Sequence, residues 1–150
     1  MQLIQSASNQ ERVLVHRDYH SRNIMISDNH EMGFIDFQDA VSGPITYDIV
    51  SLLKDCYIKI EPEQMNNMLR IYYDYLIKNH MTNKPLSEFI MDFDLMGIQR
   101  HLKAIGIFSR LKHRDKKNNY INDIPLTMSY LKHLGNQYES LKDVLIQLKL

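Results

Sequence analysis

Short apolar runs give way to longer amphipathic ones near residue 45. Arg12-Val13-Leu14-Val15 is a β-branched run, and Ile24-Met25-Ile26 and Met32-Gly33-Phe34-Ile35 are two more, separated by the polar stretch Ser27-Asp28-Asn29-His30-Glu31. Runs this short with polar punctuation predict strands, the second and third joined as a hairpin. Gly43-Pro44 is expected to break the chain there. From Tyr47 the spacing turns helical: Ile49, Leu52, Leu53 and Cys56 recur on one side, with Asp48 in the first turn, where a carboxylate suits the helix dipole. Pro62 opens a second helix carrying Met65, Met68, Leu69, Tyr72 and Leu76 on one face. A third follows Pro85, from Leu86 to about Leu111, and residues 112–119 form a polar loop. Pro125 precedes a fourth helix with Leu126, Tyr130, Leu131 and Leu134. Gly135-Asn136 can interrupt it before a last amphipathic stretch at Leu141, Val144, Leu145 and Leu148. These elements predict an α+β, mostly helical fold. They make one domain over 1–150, with a β-like part in 12–45 and a helical part in 46–150.

Composition narrows the setting. The chain has 150 residues, 44% hydrophobic and 24% charged, which is ordinary for one globular domain. Lys plus Arg equals Asp plus Glu at 18 each, so charge gives no reason to expect nucleic acid or an anionic membrane as partner. The single cysteine, Cys56, excludes an intrachain disulfide and a Cys-based zinc site, which suits a reducing compartment. No apolar run approaches the about 18 residues that span a bilayer. The stretch 1–12 lacks the basic-then-apolar order of a signal peptide. A cytoplasmic protein is expected.

The chemistry lies in His16-Arg17-Asp18-Tyr19-His20-Ser21-Arg22-Asn23, followed by Phe34-Ile35-Asp36-Phe37. The pattern fits the kinase catalytic loop H-R-D-x-x-x-x-N and the Asp-Phe half of D-F-G. A hairpin turning between Asn29 and His30 would set Asn23 directly opposite Asp36, and residues so opposed lie roughly 4.5–5.5 Å apart at Cα. One amide oxygen and one carboxylate at that spacing suit Mg²⁺, which takes few protein ligands and leaves the rest to phosphate oxygens and water. Asp18, on the loop entering the hairpin, is placed to accept the proton of an attacking hydroxyl. His16 is expected to brace the loop. Arg17 and Arg22 would face phosphate, substrate or solvent. Asp48 would either accept hydrogen bonds from the loop or cap its own helix. Arg100-His101 would line a substrate groove or form a helix's polar face. His20, His113 and His133 lack the spacing of a zinc site.

On these residues the chain resembles the aminoglycoside phosphotransferase and choline kinase family, small-molecule kinases with a protein-kinase-like fold. The segments His16 to Met25, Ile35-Asp36-Phe37-Gln38-Asp39-Ala40-Val41, Gly43-Pro44 and Tyr47-Asp48-Ile49-Val50-Ser51-Leu52-Leu53 are most similar to the bacterial cell-wall amino-sugar kinases. The helical run from Met96 to Leu111, Arg114-Asp115 and Tyr120 extend that likeness. Those enzymes phosphorylate the anomeric hydroxyl of N-acetylmuramate or N-acetylglucosamine in peptidoglycan recycling. The resemblance implies ATP and Mg²⁺ as cofactors. It implies Asp18 as catalytic base and Asn23 and Asp36 as metal ligands, with His16, Arg17, His20 and Asp48 in support. Gln38, Asp39, Arg100 and His101 are candidate acceptor-binding residues. Gln38 stands where protein kinases have the glycine of D-F-G, which argues against a protein-kinase activation switch.

The family's fold also has an N-terminal lobe that covers ATP with a Gly-rich loop, a strand lysine and a glutamate. Only some 15 residues precede His16, and the chain's five glycines form no such loop. The sequence therefore resembles the C-terminal lobe alone, weak or inactive by itself, with an apolar surface exposed where the other lobe would sit. An aminoglycoside or another small alcohol is the alternative acceptor, and a non-catalytic kinase remnant the alternative role. Carboxylates near the third helix (Asp92, Asp94, Asp115, Asp123) are matched by Arg100, Lys103, Arg110, Lys112 and Arg114, which favours a neutral or acidic sugar.

Overall fold

The computed structural model describes residues 2–116, 118–138, 142 and 146. The order is α1 (Gln2–Ser8), β1 (Arg12–Val15), a short 3₁₀ turn (Ser21–Asn23), β2 (Ile24–Ile26), β3 (Met32–Phe34), β4 (Val41–Pro44), α2 (Tyr47–Leu53), α3 (Pro62–Lys78), α4 (Leu86–His113), a 3₁₀ segment (Asn118–Asp123) and α5 (Ile124–Gln137). The mostly helical α+β class is as expected. The strands form two antiparallel pairs, β1 with β4 and β2 with β3.

The β2–β3 hairpin exists, one residue out of the expected register. Ile24 faces Phe34, Met25 faces Gly33 and Ile26 faces Met32. The turn has three residues rather than two. Ser27 N–H bonds the Glu31 carbonyl at 2.9 Å, His30 N–H bonds the Ser27 carbonyl at 2.9 Å, and His30 takes a left-handed φ of 63°. A turn closed by one left-handed residue is a common hairpin solution. Asn23 is therefore opposite Ile35, whose N–H reaches the Asn23 carbonyl at 3.1 Å, and Asp36 lies one residue further on.

Gly43-Pro44 is no break. It belongs to β4, which pairs Arg12 with Pro44, Val13 with Gly43, Leu14 with Ser42 and Val15 with Val41. A Cβ on Gly43 would stand 2.5 Å from Val15 Cγ2, so only glycine lets the two strands close over the buried Val15. Pro44, which lacks an N–H, is tolerated at the end of a two-stranded ribbon. We expect Gly43→Ala to cost about 1–3 kcal/mol by overpacking, read as a lower urea midpoint with unchanged slope; an unaltered midpoint would show that the strands adjust freely.

The long helix α4 is buried on two sides. Its Phe89, Phe93 and Met96 join Ile45, just after β4, and Val50, Leu53, Leu69 and Leu76 from α2 and α3. Its Leu95 and Ile98 pack with Leu131 and Leu134 of α5. Between these clusters lies an ion pair, Lys54 Nζ to Asp94 Oδ1 at 2.7 Å, with both side chains less than a tenth exposed. Tyr138 Oη donates to the other Asp94 oxygen at 2.7 Å. The N-terminal α1, for which no apolar pattern argues, is tied to α4 by Ser6 Oγ donating to Asp92 Oδ1 at 2.7 Å. Cys56 falls beyond the end of α2, and α5 runs through Gly135 and Asn136 without a break. The amphipathic stretch expected at Leu141, Val144, Leu145 and Leu148 lies outside the described residues. Among the described residues no helix is long and apolar enough to cross a membrane.

The two strand pairs leave apolar side chains in water. Leu14 is 79% exposed, Ile26 71% and Met32 69%, and Phe37 in the connection after β3 is 64% exposed.

Candidate active site

The segment 16–23 is suspended from the helical core by side chains that bond its backbone. Asp48, in the first turn of α2, accepts from the His16 N–H at 2.6 Å and the Arg17 N–H at 3.1 Å. Its carboxylate thus serves the loop rather than its own helix. Arg17 takes a left-handed φ of 76°, a conformation costly for a residue with a Cβ unless the surroundings enforce it. They do. The Arg17 carbonyl accepts from Arg100 Nη1 at 3.0 Å, while Arg100 Nη2 donates to Ser51 Oγ at 2.5 Å and the guanidinium lies 4.3 Å from the centre of the Tyr47 ring. The Arg17 side chain donates to the Asp39 carbonyl at 3.3 Å.

Asp18 is held from its other side too. Its carbonyl accepts from the His20 N–H at 3.0 Å and from Asn23 Nδ2 at 2.9 Å. Further along, Asp55 takes the Ser21 N–H at 2.8 Å on one oxygen and the Tyr57 N–H at 2.7 Å on the other. The loop backbone is therefore pinned at residues 16, 17, 18 and 21, and none of these bonds uses the Asp18 carboxylate. His16 packs its ring edge against Tyr19, and Tyr19 stacks on Phe34 at 5.3 Å, joining loop to hairpin. The His20 ring sits edge-on to Tyr57 at 5.0 Å. Burial draws its pKa below the ordinary histidine value, and the nearby Asp55 and Asp18 oppose that shift.

Asn23 and Asp36 flank the open end of the hairpin without facing each other across the ladder. Asn23 spends its amide nitrogen on the Asp18 carbonyl, which directs its oxygen elsewhere. Asp36 has a left-handed φ of 67°, is exposed, and accepts from Gln38 Nε2 at 2.8 Å on Oδ1. Among the described residues no three His, Cys, Asp or Glu side chains gather into a metal cage. A hard divalent ion at this end would take one amide oxygen and one carboxylate, a set that fits Mg²⁺ with its remaining positions left to phosphate and water.

Beside Asp18 a cleft of about 170 Å³ opens between the loop, the end of α2 and one face of α4. Its lining includes His20, Asp55, Tyr57, Arg100, His101 and Lys103. Of the expected acceptor residues, Arg100 and His101 line it, whereas Gln38 and Asp39 lie outside the lining, near Asp36. Arg100 is committed to the loop backbone, as described. His101 is 2% exposed, lies with Nε2 2.9 Å from the Lys54 carbonyl, and stacks on Tyr130. A carbonyl only accepts, so Nε2 carries the proton. Burial pushes the pKa of His101 down to about 4, so the ring is neutral near pH 7. A second hollow of about 510 Å³, around Lys54, Arg70 and Gln137, lies away from Asp18.

The sequence pattern missed Asp55 and Tyr57. Asp55 lies just beyond the end of α2, and no helical spacing in the sequence marks it as a partner of the loop.

Comparison with known proteins gives this geometry its setting. Residues 2–80 match the profile of the phosphotransferase enzyme family. A protein of Pseudomonas aeruginosa named N-acetylmuramate/N-acetylglucosamine kinase is 44% identical over 133 residues, covering 86% of this chain and 38% of that protein. One of Neisseria meningitidis with the same name is 41% identical, covering 88% of this chain and 40% of its own length. One of Caulobacter vibrioides, also so named, is 31% identical over 126 residues. The chain thus spans about two fifths of the length of the first two relatives. With the family profile matched over more than half of its residues, this chain belongs to the phosphotransferase enzyme family.

Proposed function

We propose that the chain is the catalytic and acceptor-binding part of an ATP- and Mg²⁺-dependent kinase that phosphorylates a hydroxyl of an amino sugar from cell-wall recycling, in the cytoplasm. The observation that carries this is the doubly pinned backbone of Asp18, which presents an uncommitted carboxylate at the mouth of a cleft. The names of the relatives supply the acceptor class.

In this mechanism Asp18 hydrogen-bonds the acceptor hydroxyl, orients its lone pair toward the γ-phosphorus of ATP, and takes its proton as the new O–P bond forms and the bond to ADP breaks. Asn23 and Asp36 would hold Mg²⁺, which when bound would supply positive charge to offset that of the phosphate oxygens. Asp48 and Arg100 keep the loop in place, so no reorganisation is needed at the moment of transfer. His16, Arg17 and His20 support the loop around Asp18. The exposed Leu14, Ile26, Met32 and Phe37 face the nucleotide-binding lobe of a protein-kinase-like fold, with residues 12–45 carrying the catalytic loop and 46–150 the helical part.

The test is transfer of labelled γ-phosphate to N-acetylmuramate, N-acetylglucosamine, aminoglycosides and choline, by this chain alone and joined to a nucleotide-binding lobe. Transfer to the amino sugars, far faster in the joined form, is expected; transfer only to aminoglycosides or choline would move the acceptor class. In the joined form we expect Asp36→Ala to weaken Mg²⁺-nucleotide binding by about tenfold or more, as loss of a charge-assisted contact, with acceptor affinity kept. Unchanged nucleotide affinity would remove Asp36 from the metal site.

A further inference from the structure

The charged groups of the cleft beyond Asp18 resolve almost completely into internal pairs. Both oxygens of Asp55 are taken by backbone N–H groups. Lys54 is paired with Asp94. Arg100 is bound to the Arg17 carbonyl and the Ser51 hydroxyl. His101 is neutral, its Nε2 bonded to a carbonyl. Lys103 is the exception. It lines the same wall and is exposed to solvent. Among the described residues no carboxylate pairs with its ammonium. Its neighbours one turn away on α4 are Gln99, Arg100, Gly106 and Ile107, none of them acidic, so the usual helical partner for an exposed lysine is missing. Arg100, one turn before it on the same wall, adds a like charge and makes the wall more attractive to an anion.

We propose that Lys103 is an anion subsite of the acceptor cleft, which binds a carboxylate carried by the sugar and so favours an acidic amino sugar over its neutral counterpart. The inference rests on the amino-sugar reading above and adds to it a residue that discriminates within that class. The two sugars in the relatives' names differ in this respect: N-acetylmuramate carries a lactyl carboxylate that N-acetylglucosamine lacks. An ammonium–carboxylate bond forms with the first and has no counterpart in the second. Binding of the neutral sugar would depend on the remaining polar and aromatic lining alone.

Calorimetric titration of each sugar into this chain, and into its Lys103→Met and Lys103→Arg variants, provides the test. Lys103 is exposed, so neither variant should disturb folding, which thermal unfolding checks. The wild-type chain is expected to bind N-acetylmuramate more tightly than N-acetylglucosamine. Lys103→Met should weaken N-acetylmuramate by about tenfold and leave N-acetylglucosamine within about twofold, while Lys103→Arg keeps the preference. Raised salt should erode the preference in the wild type and have little effect in Lys103→Met. Equal weakening of both sugars, or of neither, overturns the anion subsite while leaving the amino-sugar reading intact. Binding of neither sugar by the wild-type chain rejects the amino-sugar reading and the subsite with it.

Discussion

Asp18→Asn, in this chain joined to a nucleotide-binding lobe, should lower turnover about 10²–10⁴-fold, the range that a positioned general base contributes, with acceptor affinity retained. The replacement is close to isosteric, and the amide cannot take the hydroxyl's proton. The loop gives it little else to disturb, because the hydrogen bonds at residue 18 are accepted by its backbone carbonyl, from His20 N–H and Asn23 Nδ2. Asp48 and Arg100 hold the backbone of Arg17, just before it, regardless of what residue 18 carries. A steady-state assay, paired with acceptor titration and thermal unfolding, separates the outcomes. Turnover within about tenfold of wild type would remove Asp18 from the base role. A parallel drop in melting temperature would mark the loss as structural.

The largest effect on stability is expected from Asp94→Ala, a loss of about 3–5 kcal/mol. Lys54 is buried, and its ammonium has Asp94 at 2.7 Å and the Phe93 ring at 4.4 Å for company. Burial already lowers its pKa, and Asp94 opposes that shift. Removing the carboxylate leaves a buried cation without its counter-ion and leaves the Tyr138 hydroxyl without its acceptor. Gly97 lies against the Lys54 stem, where an added Cβ would stand 3.4 Å from Cδ and Nζ, so the lysine has little room to swing away. Urea unfolding measures the cost; a loss under about 1 kcal/mol would mean that water reaches the ammonium. Removing both charges together, as Lys54→Met with Asp94→Leu, should restore most of the stability, since an ion pair replaced by apolar groups of similar volume is often neutral.

Much of this architecture was legible in the residues. Prolines 62, 85 and 125 stand before or at the starts of α3, α4 and α5, and the apolar spacing of Leu69, Tyr72 and Leu76 marks the buried face of α3. The catalytic-loop motif pointed to the phosphotransferase family that the profile match shows. What failed depended on distance along the chain. Gly43-Pro44 reads as punctuation locally, and only the presence of Val15, twenty-eight residues earlier, makes it a strand. The hairpin slipped because Asp28, Asn29 and His30 suit a two- or three-residue turn about equally, and the left-handed His30 decides. The α1 helix carries only a short apolar face, Leu3 and Ala7, which packs against the core clusters beside the Ser6–Asp92 hydrogen bond. Arg100 and Asp55 were least legible as loop braces, because their bonds are to backbone groups that a side-chain motif does not encode.

The way the loop hangs from the core has a consequence for how this protein loses activity. Asp48 rides on α2 and Arg100 on α4, the two helices that also share Val50, Leu53, Phe93 and Met96. The strained peptide before Asp18 has no means of melting separately from that interior. Inactivation by heat or denaturant should therefore coincide with collapse of the helical packing, with no dead but still folded form accumulating first. A lesion far from the cleft that loosens α2 against α4 would silence the chemistry as surely as one within it.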